Sequence, residues 1–149
     1  MKIRLSVSDE SYEEVKSFFE SHGVEIDNEA PYILLQKDKH PGHIPARDED
    51  GNKVMISVED IVTIESYGHT VEIHTGKAVY TTSERLYQLE NNLDPQKFLR
   101  VSNSVIIAGS QVKEISPTLS MKFILRMKNG ERVDVTRSYN GKFKEFFGI

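Results

Sequence analysis

Cysteine is absent from the 149-residue chain. Its absence excludes a disulfide framework, a thiolate nucleophile and a zinc site built on sulfur, and it fits a protein of the reducing cytosol. Long apolar runs are also lacking, since no window approaches the about 18 consecutive apolar residues of a membrane-spanning helix. The segment from Met1 to Leu5 alternates polar and apolar residues, unlike a signal peptide. We therefore expect a cytoplasmic protein.

The motifs of common catalytic sites are missing as well. The sequence contains no Gly-rich phosphate loop, no nucleophile elbow and no paired carboxylates in a recognisable context. His40 and His43 could bind a divalent metal, but the Pro-Gly between them fixes no strand or helix that would aim them, so we favour exposed linker histidines. His69 and His74 would point to opposite faces of a strand. We expect no enzymatic activity, metal, cofactor or small-molecule substrate.

Charge is distributed unevenly along the chain. The net charge of -4 counts against DNA binding, because neutralising phosphate supplies much of the affinity for DNA. However, residues 97–149 contain 10 Lys and Arg against 4 Asp and Glu, whereas residues 1–96 contain 9 against 19. A basic final third is typical of a surface that faces nucleic acid, although a solvated, salt-bridged face gives the same count.

The first forty residues predict a β-α-β unit. Residues 2–7 alternate as a strand, Ser8 begins a helix that Gly23 ends, and residues 32–35 form a second strand after Pro31. Apolar and aromatic residues recur in the helix at helical spacing: Tyr12, Val15, Phe18, Phe19 and His22. We assign Tyr12, Phe18 and Phe19 to the core of this unit.

Residues 37–52 form a polar segment that is the best candidate for a linker, so we divide the chain into residues 1–40 and 42–149. Short strands dominate the second part. One helix, with leucines at 86, 89 and 93, interrupts them, and Thr81 and Glu84 have the spacing of its capping box.

The strongest local pattern is a hairpin over residues 121–135. Apolar residues alternate on both sides of Asn129-Gly130, a pair that predicts a type I′ turn. Ser138 then caps a short C-terminal helix that carries Tyr139 and three phenylalanines.

Five segments follow one another in a distinctive order along the second part of the chain: Ile56–Ser66, Phe98–Ile107, Val112–Ile115, the Asn129-Gly130 hairpin and Val135–Tyr139. Together they resemble the LytTR-type DNA-binding domain, over about residues 42–149. The resemblance implies an α+β protein, in which a mainly antiparallel β domain follows the small β-α-β unit. It also implies a bacterial transcription regulator that reads successive major grooves of double-stranded DNA through loops, without a recognition helix.

Three positions carry over from this resemblance as base-reading candidates: His69, Asn103 and Arg137. Arginine can donate two hydrogen bonds to guanine, asparagine can pair with adenine, and histidine can donate to a base or a phosphate. Without the resemblance we would favour structural roles, with Asn103 in a turn, His69 merely exposed and Arg137 in an ion pair. Candidate phosphate contacts are Arg100, Ser102, Ser104, Ser138, Lys142 and Lys144.

The sequence departs from the family pattern at two positions. Family members usually have His where this chain has Ser102, and Asn where it has Ala108. The departures and the net acidity are the grounds for a second hypothesis, a protein-protein interaction module that keeps the fold without binding DNA.

The resemblance also bears on assembly and partners. Members act on paired half-sites, which predicts a homodimer on DNA. A receiver domain often accompanies the family, but forty residues are too few for one, so we expect a standalone regulator. Three roles stay open for the N-terminal unit: dimerisation, binding of a membrane-protein regulator, or packing on the β domain.

Overall fold

The computed structural model describes residues 1–36 and 40–149, and it divides the chain into two compact units, Met1–His40 and Pro41–Ile149. The elements of the first unit are β1 (Lys2–Ser6), α1 (Asp9–Ser21), β2 (Glu25–Ile26) and β3 (Tyr32–Leu35). The strands of the second unit are β4 (His43–Arg47), β5 (Lys53–Ser57), β6 (Ile61–Tyr67), β7 (Thr70–Thr75), β8 (Val79–Thr82), β9 (Phe98–Arg100), β10 (Val105–Ala108), β11 (Val112–Pro117), β12 (Phe123–Met127) and β13 (Arg132–Val135). Its helices are α2 (Leu86–Asn92) and α3 (Asn140–Phe147), with 3₁₀ turns at Val58–Asp60, Gly109–Gln111 and Arg137–Tyr139.

The first unit is the predicted β-α-β unit. Its parallel sheet has the order β2-β1-β3, and α1 connects β1 to β2. The assignment of Phe18 to the core is wrong, because its side chain is 58% exposed, and no residue of α1 is buried. The strands contain only two to five residues each, so the sheet offers too little surface to cover a 13-residue helix.

The second unit consists of two antiparallel sheets. Seven strands have the order β5-β4-β8-β7-β6-β10-β9, and the other three form the meander β11-β12-β13. Neighbouring strands in the larger sheet are all antiparallel. The predicted fold class, an α+β protein with a mainly antiparallel β domain, is confirmed.

The larger sheet separates two hydrophobic cores, because successive residues of a strand point to opposite faces. In β10, Ile106 packs on one face with leucines of α2, and Ile107 packs on the other face. This second core also contains Leu125 and Val135 of the smaller sheet and the fully buried Phe143 of α3. The smaller sheet and α3 are thereby held against one face of the larger sheet.

The linker predicted over residues 37–52 is wrong in its second part. Residues 43–47 form β4, which pairs with β5 from His43↔Ser57 to Arg47↔Lys53. Ile44 and Ala46 are buried, but the proline between them and the polar flanks conceal this alternation in the sequence. The segment 48–51 is the turn of the β4–β5 hairpin, while residues 37–39 of the predicted linker lie outside the described residues.

Ser8 occupies the N-cap of α1, as predicted, but the caps predicted for the two helices of the second unit are wrong. Thr81 lies in β8, and α2 begins after Arg85, whose backbone N–H donates to Oε1 of Gln88 at 2.8 Å. Ser138 lies within a 3₁₀ turn, so Tyr139 occupies the N-cap of α3 and provides no side-chain cap. Spacing alone did not reveal these boundaries, because Thr81 pairs within the sheet and Ser138 belongs to a 3₁₀ turn that precedes α3.

The β12–β13 hairpin is present, but its turn is not type I′. That type needs a positive φ at both central residues. Among the described residues other than glycine, only Met121 has a positive φ, so Asn129 does not meet this requirement, whereas Gly130 has φ 92°. The Gly130 N–H donates to the Met127 carbonyl at 2.9 Å, as in a turn followed by a left-handed glycine.

Gly130→Ala is therefore expected to lower the free energy of unfolding by about 1 kcal/mol, because an L side chain is strained at this φ. Gly141→Ala is the matched control, since Gly141 lies in α3 with open space around its Cα and no positive φ. Urea denaturation of both variants measures the difference. Equal losses in the two variants would contradict the backbone explanation.

Candidate nucleic-acid interface

Three loops lie at one end of the second unit. Strand β6 runs antiparallel to β10, and the Ser66 N–H donates to the Ser104 carbonyl at 2.9 Å. This pairing places the β6–β7 turn beside the β9–β10 loop. The Thr136 N–H donates to the Val101 carbonyl at 3.0 Å, which places the segment after β13 on the other side of the same loop.

His69 lies in the β6–β7 turn, which Gly68 closes with φ 60°. Its side chain is exposed, and its carbonyl accepts from Nη1 of Arg85 at 3.4 Å. Arg85 is an exposed cation at this end that the sequence analysis missed, because it precedes the basic final third. The feature of the sequence that could have pointed to Arg85 is its position directly before the helix with leucines at 86, 89 and 93.

Asn103 is the exposed residue of the β9–β10 loop. Ser102 before it is only 8% exposed, and its hydroxyl accepts from the Ser104 N–H at 3.2 Å. The Ser104 side chain is half-buried. The loop therefore presents one polar side chain outward and uses the neighbouring hydroxyl to support its own backbone.

Arg100 lies in β9, where its side chain is 21% exposed. Its Nε donates to the Ser102 carbonyl at 3.1 Å, and its Nη2 donates to the Asn103 carbonyl. Nη1 lies 3.4 Å from Oε1 of Glu90 in α2. Three guanidinium nitrogens of this predicted phosphate contact thus engage the protein itself.

Arg137 begins the 3₁₀ turn that follows β13, and its side chain is exposed. It forms no ion pair with the residues that the structure describes. Two residues later, the Tyr139 hydroxyl donates to Oδ1 of Asn103 at 3.1 Å. The structure thus brings the Arg137 turn and the Asn103 loop into direct contact, with the His69 turn on the far side of that loop.

The other phosphate candidates lie next to this region. Ser138 follows Arg137 and is exposed, as are Lys142 and Lys144 on α3. Nζ of Lys144 lies 6.0 Å from the centroid of the Phe123 ring. These side chains add one hydroxyl beside the Arg137 turn and two exposed cations on α3.

Two acidic side chains, Glu131 and Glu65, form hydrogen bonds to neighbouring side chains. Glu131, at the β12–β13 turn, accepts from the buried Thr63 hydroxyl at 3.1 Å and lies 2.9 Å from Nδ1 of His74. Glu65 accepts from the Tyr67 hydroxyl at 2.7 Å, and this hydrogen bond raises the pKa of Tyr67 to about 12. The Glu131 contacts connect the larger sheet to the smaller one.

Among residues 1–36 and 40–149, no group of three His, Cys, Asp or Glu side chains could hold a metal ion. In the same part of the chain, no helix combines the length and apolar character that crossing a membrane requires.

Comparison with known families decides which class of domain this is. Residues 51–148 match the model of the LytTr DNA-binding domain. The chain belongs to the LytTR family. The resemblance found in the sequence is thereby confirmed, and the chain carries a DNA-binding domain of this family. Strand β4 lies outside the matched residues, although it pairs within the same sheet.

LytTR relatives and a solved LytTR structure agree with this assignment. The chain is 30% identical over 95 residues to the transcriptional regulatory protein LytR of Staphylococcus aureus, and 32% identical over 96 residues to the sensory transduction protein LytT of Bacillus anthracis. Each match covers 64% of this chain but 39% of the relative. The LytTr DNA-binding domain of a methyl-accepting/DNA response regulator from Bacillus cereus superposes with a TM-score of 0.69 at 25% identity, over 73% of this chain and 99% of that one.

Proposed function

We propose that this protein is a transcriptional regulator that binds specific duplex DNA sequences and reads the major groove with His69, Asn103 and Arg137. The observation that carries the proposal is the clustering of three exposed side chains on three adjoining loops at one end of a LytTR domain. Each of the three side chains can donate hydrogen bonds to base edges.

Phosphate contacts would surround these readers. Lys142, Lys144 and Ser138 are exposed beside Arg137, so they are placed to hold the DNA backbone on that side. Ser104 lies beside Asn103 with a half-buried hydroxyl and could add a weaker contact. Phosphate contacts fix the register of the protein on DNA and leave base discrimination to the three readers.

The two departures from the family pattern do not weaken this proposal. Ser102 is 8% exposed and Ala108 is 4% exposed, and neither position is one of the three proposed readers. The alternative of a protein-interaction module without DNA binding was based on these departures and on the net acidity of the chain. The exposed Asn103 and Arg137 remain available for DNA.

The proposed function also has consequences for the location and the assembly of the protein. We expect it to act in the cytoplasm, without catalysis, as a homodimer on paired half-sites. The unit Met1–His40 would serve dimerisation, a membrane-protein regulator or packing on the β domain, as the sequence analysis left open.

Selection from a pool of random duplexes with the full chain, followed by sequencing of the retained DNA, tests the function. We expect enrichment of a recurrent motif with two half-sites. Retention without a shared motif would reduce the function to electrostatic attraction. No retention at low salt, with the protein folded, would contradict DNA binding and favour the interaction module.

A further inference from the structure

We infer that Arg100 and Tyr139 are positioning residues that preset the Asn103 amide for base reading, and that Arg100 is not a phosphate contact. This inference rests on the proposed function, since it assigns a specificity role to residues behind one of the three readers. Two independent sets of contacts support it, one on the loop backbone and one on the Asn103 side chain.

The backbone of the β9–β10 loop is held by the Arg100 guanidinium. It donates to two consecutive loop carbonyls, those of Ser102 and Asn103, from different nitrogens. Glu90 of α2 anchors the remaining end of the guanidinium at 3.4 Å. A planar group with donors in a fixed fork is suited to such a multiple contact, whereas a lysine ammonium has no such geometry. Because the side chain is 21% exposed and already occupied, it presents little charge to a phosphate.

The Asn103 side chain is held by Tyr139. The tyrosine ring packs partly buried against the second core, so its hydroxyl is presented from a fixed position. That hydroxyl donates to Oδ1 of Asn103 at 3.1 Å. An amide can rotate by half a turn and exchange its donor and acceptor, but this hydrogen bond stabilises one orientation.

A fixed amide matters for reading a base. With Oδ1 directed to Tyr139, the Nδ2 donor has a defined direction, and the second lone pair of Oδ1 stays available. Asparagine that pairs with adenine needs donor and acceptor in a defined order. Without Tyr139 the amide would sample both orientations, and fixing one of them on binding would cost conformational entropy. Discrimination between base pairs would therefore fall more than the overall affinity for DNA.

Tyr139→Phe tests the contact to the side chain. It removes one hydroxyl and keeps the ring in the core. We expect a loss of about 2- to 12-fold in the ratio of affinities for the selected duplex and for one changed at the base pair that Asn103 reads, the range of one hydrogen bond. Tyr87→Phe is the matched control, because Tyr87 is 59% exposed on α2, and its ratio should not change. Combining Tyr139→Phe with Asn103→Ala should add nothing to the loss from Asn103→Ala alone.

Arg100→Lys tests the contact to the backbone, since it keeps the charge and removes the fork. Positioning predicts a reduced discrimination ratio with an unchanged dependence of affinity on salt. A phosphate contact predicts that Arg100→Lys leaves the discrimination ratio and the salt dependence of the affinity both unchanged. Lys142→Ala provides the comparison, with a smaller salt slope and an unchanged ratio. Thermal unfolding of each variant establishes that it is folded at the temperature of the binding assay.

The outcomes separate the inference from the function it rests on. If Asn103→Ala reduces discrimination but Tyr139→Phe and Arg100→Lys do not, the positioning inference is overturned and base reading stands. If Asn103→Ala leaves discrimination intact on a motif that the wild type selects, the reading role of Asn103 fails and the positioning inference fails with it. Loss of discrimination in all three variants, with the salt slope retained in Arg100→Lys, supports both.

Discussion

The affinity for the selected duplex is expected to fall about 150-fold when monovalent salt rises from about 50 to about 200 mM, as for a protein that contacts about four phosphates. The reason is counterion release, which gives a slope of about -0.9 per contact in a plot of log affinity against log salt. Apart from Arg100, every lysine and arginine from Lys97 onward is exposed. A titration of affinity across this salt range, with the full chain, gives the slope.

Single substitutions locate the contacts behind that slope. In the proposed homodimer each substitution is present twice, so Lys142→Ala and Lys144→Ala should each reduce the slope by about 2 and weaken matched and changed duplexes alike. Lys97→Ala is the control, because Lys97 already pairs with Glu59 at 3.5 Å. An affinity that stays constant across the salt range would show that the basic final third is not the binding face.

The part of the fold that the sequence predicted depends on local periodicity. The β12–β13 hairpin combines alternating apolar residues with a glycine that needs a positive φ, and both signals lie within fifteen residues. Strand β4 has the same inward alternation at Ile44 and Ala46, but Pro45 and polar neighbours conceal it. Its place is determined by pairing with β5, a tertiary contact that single-sequence patterns do not contain.

In the candidate site, the residue types could be predicted from the sequence, whereas their contacts in the folded protein could not. The resemblance identified His69, Asn103 and Arg137 by their positions in the family pattern, their residue types suit base edges, and all three are exposed. The environment of Arg100 was not predictable, because its partners come from its own loop and from Glu90 ten residues earlier in α2. Tyr139 is 36 residues from Asn103, so their hydrogen bond depends on how β13 returns to the β9–β10 loop.

Arg137→Ala is expected to cost about 1–3 kcal/mol of binding free energy on the selected duplex, the range of a bidentate contact to guanine. The backbone that carries Arg137 is well supported. Its predecessor Thr136 donates to the Val101 carbonyl, and the Tyr139 N–H donates to the Thr136 carbonyl at 2.9 Å. A guanidinium presented from such a fixed turn loses little entropy on forming two parallel hydrogen bonds.

A duplex changed at the guanine that Arg137 contacts separates base reading from attraction to phosphate. Base reading predicts that Arg137→Ala costs much less on the changed duplex than on the selected one, and that Arg137→Lys does not restore the difference. Arg126→Ala is the matched control, since Arg126 is exposed in β12 and lies outside the three loops. Because Arg137 has no ion pair with a described residue, its removal should leave the unfolding temperature unchanged. Equal losses on both duplexes, with folding intact, would make Arg137 a phosphate contact and leave the reading to His69 and Asn103.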